Sequence, residues 1–181
     1  MIRRGLALHG LKKLDFNVIK FSQKSKTKEP LTLEKEMIIW QYCLNNKERI
    51  SLAMSLGLYA GLRIGEICAL KWEDIDLDNS MISITKTVQR LKSENHEQKT
   101  QLYILEPKST SSIRRVILPD FLIEYLKKYN DLYNKDFFIL SNKEIPVDPR
   151  IIQKNFRKIC KANDIDATFH TLRHTYATNC I

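Results

Sequence analysis

From Leu31 onward, apolar residues recur at helical spacing in several stretches, and in a middle section they alternate instead. Thr32 is placed to cap a helix in which Leu33, Met37, Trp40 and Leu44 follow the i, i+4, i+7, i+11 spacing of one buried face. A second helix is expected over about residues 49–59, broken by Gly61. A short third follows over 63–70, before the polar stretch KWEDIDLDNS. Residues 81–88 alternate and are rich in Ile, Thr and Val, and 102–105 and 113–118 are two further β-like runs. These runs predict one small antiparallel sheet, with 92–100 as a long connection and 107–112 as a turn or loop.

Helical spacing then returns. Asp120 can cap a helix carrying Leu122, Tyr125, Leu126, Tyr129, Leu132 and Tyr133 at regular intervals. Asp148 followed by Pro149 is an N-cap with proline at the first helical position, and Ile152, Phe156, Ile159 and Cys160 form the apolar stripe behind it. Thr168 starts a last helix, which is expected to run to Ile181 because no glycine or proline ends it. The sum is an α+β fold, mainly helical, with a small antiparallel sheet rather than an alternating βαβ array.

Length and charge narrow the picture. The chain has 181 residues, enough for one domain with a proper core plus a tail. SQKSKTKEP, residues 22–30, is polar and ends in proline, as a linker does. The formal net charge is +9, and residues 1–29 hold eight Lys or Arg against two acidic side chains. A basic tail favours polyanionic partners, although a charge run is also what a solvated linker looks like. The longest apolar run, 50–62, is too short for a membrane span. The N-terminal stretch lacks the uninterrupted apolar region of a secretory signal. Cys43, Cys68, Cys160 and Cys180 are scattered with no CxxC pair, so no structural metal is expected and reduced thiols in the cytoplasm are.

Three segments carry candidate chemistry. In AGLRIGEICAL, Arg63 and Glu66 are an i, i+3 pair, and a local surface ion pair would account for them. Their apolar neighbours point instead to a largely buried arginine, which needs a strong anionic partner. FHTLRHTYAT puts His170 and Arg173 on one face near a helix N-terminus. That is a phosphate-compatible pair, since arginine offers a planar fork of donors and histidine can donate a bond or move a proton near neutral pH. In PKSTSSIRR, Lys108 sits among small hydroxyl residues on a strand-connecting loop, and Arg114 or Arg115 are equally open as phosphate contacts.

Taken together and in this order, these segments resemble the tyrosine recombinase (phage integrase) family. GLRIGEICALKWEDID is similar to the box with the family's first catalytic arginine, here Arg63, and its nearby acidic residue, Glu66. PKSTSSIRRVILP resembles the hairpin that delivers the catalytic lysine, here Lys108. FHTLRHTYAT is similar to the HxLRH box, which makes His170 its histidine and Arg173 the second arginine. TKEPLTLEKEM resembles the entry into the catalytic domain, so residues 30–181 are expected to be that domain. Residues 1–29 are expected to be the end of a core-binding domain with its linker. The family's further His or Trp and its nucleophilic tyrosine lie downstream of the HxLRH box, and the sequence extends eight residues past Arg173. The expectation is therefore a C-terminally incomplete catalytic domain without a nucleophile.

The resemblance implies a tyrosine hydroxyl attacking a phosphate of double-stranded DNA to give a 3′-phosphotyrosyl link, with no metal or other cofactor. Arg63 and Arg173 would stabilise the phosphate charge and Lys108 would protonate the leaving 5′ oxygen. His170 would assist proton transfer or phosphate binding, and Glu66 would orient His170 or another basic site residue. Partners would be DNA and intact recombinase protomers in a synaptic assembly, not a membrane. Alternatives are a DNA-binding regulator, a remnant of a mobile element, or a type IB topoisomerase relative.

Overall fold

The computed structural model describes residues 29–93, 99–106, 113–130 and 134–180. Among these residues, six helices and five strands follow in the order α1 (Leu33–Asn45), α2 (Arg49–Tyr59), α3 (Ile64–Ala69), β1 (Ile75–Asp76), β2 (Met81–Ile84), β3 (Thr87–Lys92), β4 (Thr100–Leu105), β5 (Arg114–Ile117), α4 (Asp120–Asn130), α5 (Pro149–Ala162) and α6 (Phe169–Asn179), with a 3-10 turn at Trp72–Asp74 before β1. The chain is α+β and mainly helical, as its apolar pattern predicts.

Helix α2 is the axis of the core. Every residue from Ile50 to Leu58 is buried, and α1, α3, α4, α5 and α6 all pack on it. Gly57 lets α6 approach closely, because a Cβ there would lie 3.2 Å from Phe169 Cε1 and 3.4 Å from Leu172 Cδ1. Phe169 in turn meets Phe156 of α5 edge to face, with ring centroids 5.5 Å apart. This close packing sets α6 beside the C-terminal end of α2, where the site forms.

Helix α1 buries a different face from the expected one. Leu33 is 73% exposed, Met37 63% and Leu44 42%, while Glu36, Ile39 and Cys43 turn inward and Trp40 lies between the two faces. Long-range polar contacts set the rotation: Asn179 Nδ2 donates to Glu36 Oε2 at 3.1 Å, and Tyr59 also bonds the Glu36 carboxylate. The backbone N–H of Leu31 donates to Thr175 Oγ1 at 2.9 Å, fixing the entry to α1 against α6.

The strands form two sheets, not one. The run 81–88 breaks at Thr85–Lys86, so β2 joins β1 and β5 in the order β1-β2-β5 while β3 pairs with β4. All pairings are antiparallel, with Ile82 opposite Ile75 and Val116, Ile84 opposite Arg114, and Arg90 opposite Leu102. Strand β1 lies inside the polar stretch KWEDIDLDNS, for which no strand is expected. Of the long connection, residues 94–98 lie outside the described residues, as do the expected turn 107–112 and Leu132 and Tyr133.

The later helices follow the pattern closely. In α4, Leu122, Tyr125, Leu126 and Tyr129 are buried. In α5, the Asp148 carboxylate accepts from Arg150 N at 2.9 Å with Pro149 in the first turn, and Ile152, Phe156, Ile159 and Cys160 are buried. Helix α6 ends at Asn179 rather than running on to Ile181, and Cys180 forms its cap through its N–H to Tyr176 O at 3.2 Å.

Candidate active site

Between α2 and α3 the chain must turn sharply. Gly61 takes φ of +62°, a conformation that side-chain-bearing residues adopt at a cost, and Arg63 then caps α3 in extended geometry. Glu66, one turn in, accepts from the backbone N–H of Arg63 at 2.8 Å and from its Nη1 at 2.9 Å. The i, i+3 spacing thus fixes the backbone of the turn as well as the side chain. Arg63 is not the buried arginine expected from its neighbours. Its side chain is 56% exposed, and the buried member of the pair is Glu66, at 7%. The short helix turns Ile67, Cys68 and Ala69 inward and leaves the guanidinium at the surface.

Glu66 holds a second cation. Arg114, the first residue of β5, donates Nη1 to Oε1 at 2.9 Å and Nη2 to Oε2 at 2.8 Å, a bidentate pair across 48 residues of sequence. Burial alone would raise the Glu66 pKa, but the hydrogen bonds from Arg114 and Arg63 outweigh it and hold the carboxyl below its ordinary value. The basic residues that Glu66 orients are therefore Arg63 and Arg114.

From the other side, α6 contributes His170, exposed in its first turn, and Arg173, half-buried one turn later. Arg173 Nη1 donates to the carbonyl of Gly61. Burial pushes the Arg173 pKa down, and repulsion from Arg63 adds to the effect. Three arginines, Arg63, Arg114 and Arg173, gather around a single carboxylate, Glu66, and the excess positive charge favours entry of an anion.

Arg63, His170 and Arg173 line one cleft of about 590 Å³. Its walls continue along β3, through Thr87, Gln89 and Arg90, to the start of α5, with Arg150 and Gln153. Asp148, which also lines it, is already used: its carboxylate takes Arg90 Nε at 2.8 Å and caps α5. A smaller hollow of about 380 Å³ on the other side of Arg173 is lined by Gly61, Arg114, Arg115 and Tyr176. Arg90, Arg150 and Gln153 were not anticipated from sequence. The only local signal was Arg150 directly after the Asp148–Pro149 cap, while the Arg90–Asp148 contact spans 58 residues. Lys108 lies outside the described residues.

The guanidiniums of Arg63 and Arg173 and the imidazole of His170, all lining one cleft, are donors suited to a tetrahedral oxyanion such as a phosphodiester. Among the described residues no group of three or more His, Cys, Asp or Glu is placed to hold a metal ion, and no helix is long and apolar enough to cross a membrane.

A tyrosine recombinase of Thermosipho africanus is 34% identical over 150 residues, covering 82% of this chain and 46% of that protein. The chain therefore spans less than half of this relative. Among solved structures, the Tn1549 transposon integrase in complex with transposon right end DNA superposes with a TM-score of 0.70 at 22% identity, covering 87% of this chain and 54% of the other. XerA recombinase gives 0.62 at 25% identity, covering 84% and 50%. The model of the phage integrase family matches residues 30–181, and the chain belongs to that family, the tyrosine recombinases.

Proposed function

We infer that this chain is the phosphate-gripping part of a site-specific tyrosine recombinase, and that its cleft receives a backbone phosphate of double-stranded DNA during integration or a related strand exchange. The observation that carries the reading is the meeting of Arg63, at the cap of α3, with His170 and Arg173 of α6 around one cleft whose acidic lining residue, Asp148, is already paired. The relatives are recombinases, and the Tn1549 integrase was captured on DNA. On this reading residues 30–181 are catalytic domain, the basic residues 1–29 are the end of a core-binding domain and the interdomain linker, and the protein acts in the cytoplasm on element or chromosomal DNA.

The chemistry follows from charge. A phosphodiester carries one negative charge, and the pentavalent transition state formed on attack carries close to two. Arg63 and Arg173 meet that build-up with fixed, permanently charged forks that need no reorganisation. His170, exposed at the rim, is placed to donate to a non-bridging oxygen or to pass a proton. Lys108 keeps the role that the resemblance implies, protonating the leaving 5′ oxygen. Tyr59, Tyr125, Tyr129 and Tyr176 are held by hydrogen bonds or packing, which supports an attacking hydroxyl supplied by none of them.

Fluorescence anisotropy with labelled duplex DNA tests this. Arg63→Gln and Arg173→Gln should each weaken binding and lower the slope of log affinity against log salt by about one. Wild-type affinity and slope in both variants would remove the phosphate from this cleft.

A further inference from the structure

We propose that Arg114 is a positioning residue that keeps Arg63 available to the substrate by occupying the Glu66 carboxylate; this rests on the reading of Arg63 as a phosphate ligand. Glu66 is buried, and its two oxygens receive four bonds: from Nη1 and Nη2 of Arg114, from the backbone N–H of Arg63, and from Arg63 Nη1. The partition is unequal. Arg114 is committed by a planar two-bond fork with its side chain 26% exposed, whereas Arg63 spends one side-chain nitrogen on the carboxylate, is 56% exposed and lines the cleft.

Charge balance explains why this matters. A buried glutamate must be neutralised, and the nearest alternative cation is Arg63 itself. Without Arg114, Glu66 would draw Arg63 into a full bidentate pair, and a guanidinium spent on a carboxylate is a poor phosphate ligand. With Arg114 in place, Glu66 is cancelled by a cation from β5, so Arg63 and Arg173 retain their two charges for an incoming anion. Arg114 thus acts on the substrate through Glu66 and Arg63. Its neighbour Arg115, exposed in the same strand, lacks this pairing and serves as a control.

The opposite prospect is that Arg114 grips DNA directly from the smaller hollow it lines with Arg173. The two ideas separate in a paired substitution, because removing Arg114 and the Glu66 charge together frees Arg63 again but cannot restore a lost direct contact. The experiment is anisotropy of a labelled DNA duplex with the 181-residue chain at fixed salt, with circular dichroism to check that each variant folds. Arg114→Gln is expected to weaken binding about tenfold or more, the size of one lost charge-assisted hydrogen bond. Arg114→Lys, which keeps the charge but not the fork, should fall between the two. Glu66→Gln/Arg114→Gln should return to within about threefold of wild type, given the usual additivity error between neighbours.

A double variant that stays as weak as Arg114→Gln, or an Arg114→Gln no weaker than Arg115→Gln, overturns the proposal. If Arg114→Gln does not fold, the decision passes to the other two variants. Wild-type-like binding by the double variant together with weakened binding by Arg114→Lys supports it, and any other pairing overturns it. Arg63→Gln run alongside keeps the underlying reading separate: unaltered binding there rejects Arg63 as a phosphate ligand whatever Arg114 does.

Discussion

The guanidinium of Arg173 donates to the backbone carbonyl of Gly61, joining α6 to the turn that presents Arg63 across 112 residues of sequence. The ring of Tyr176 lies on the same glycine, so that a Cβ at Gly61 would collide with Tyr176 Cδ1 and Cε1. One turn of α6 thus grips the turn before α3 from two sides. Gly61→Ala should therefore do more than pay the ~1–2 kcal/mol of a left-handed backbone. It should push Tyr176 and Arg173 outward together, lowering the melting temperature and weakening DNA binding in the same variant. Calorimetry and anisotropy check this, and normal DNA binding by a destabilised Gly61→Ala would separate the turn from the site.

The depressed pKa of Glu66 fixes a pH dependence with a definite sign. Because the folded carboxyl titrates below its ordinary value of 4.5, its contribution to stability is full above that pH and is lost as pH falls through the folded value. Glu66→Gln should be less stable than wild type by about 2 kcal/mol at neutral pH, less than a fully buried ion pair because Arg63 is largely exposed. The difference should shrink below about pH 4.5. Melting curves at several pH values measure it, and a difference that grows on acidification would contradict the Glu66–Arg114 assignment.

Much of this was legible in the sequence, and the exceptions share a cause. The α5 cap and stripe emerge from local chemistry alone, since Asp148, Pro149 and the apolar positions specify the helix without help. On α1, two overlapping stripes fit helical spacing, one through Leu33, Met37 and Leu44 and one through Glu36, Ile39 and Cys43, with Trp40 between them. Spacing favours the first, but the partners of Glu36 come from Tyr59 and Asn179, which no local pattern announces. The site divides the same way. Arg63, Glu66, His170 and Arg173 stand in motifs that can be recognised in the sequence. The Arg114 fork on Glu66 and the Arg90 bond to Asp148 are long-range pairs that appear only once the chain is folded.

The 181-residue polypeptide is expected to form no covalent adduct with DNA. Tyr125 and Tyr129 are buried with their hydroxyls 2.9 Å apart, Tyr59 bonds Glu36, and Tyr42 Oη lies 3.5 Å from Glu48 Oε2. Tyr176 lines the hollow beside Arg114 and Arg173, yet its ring lies against Gly61, and burial raises its phenol pKa, leaving less of the nucleophilic phenolate. A nicked suicide duplex followed by a denaturing gel is the check. A retarded band that disappears in Tyr176→Phe would reassign Tyr176 as the nucleophile.

The central claim is that Arg63 and Arg173 hold the same phosphate. A crystal structure of the chain bound to duplex DNA tests it most directly. The expected result is one backbone phosphate within hydrogen-bonding distance of both guanidiniums, with His170 at its edge. A complex in which the duplex lies on another face, or in which the two arginines contact different phosphates with none shared, would contradict it.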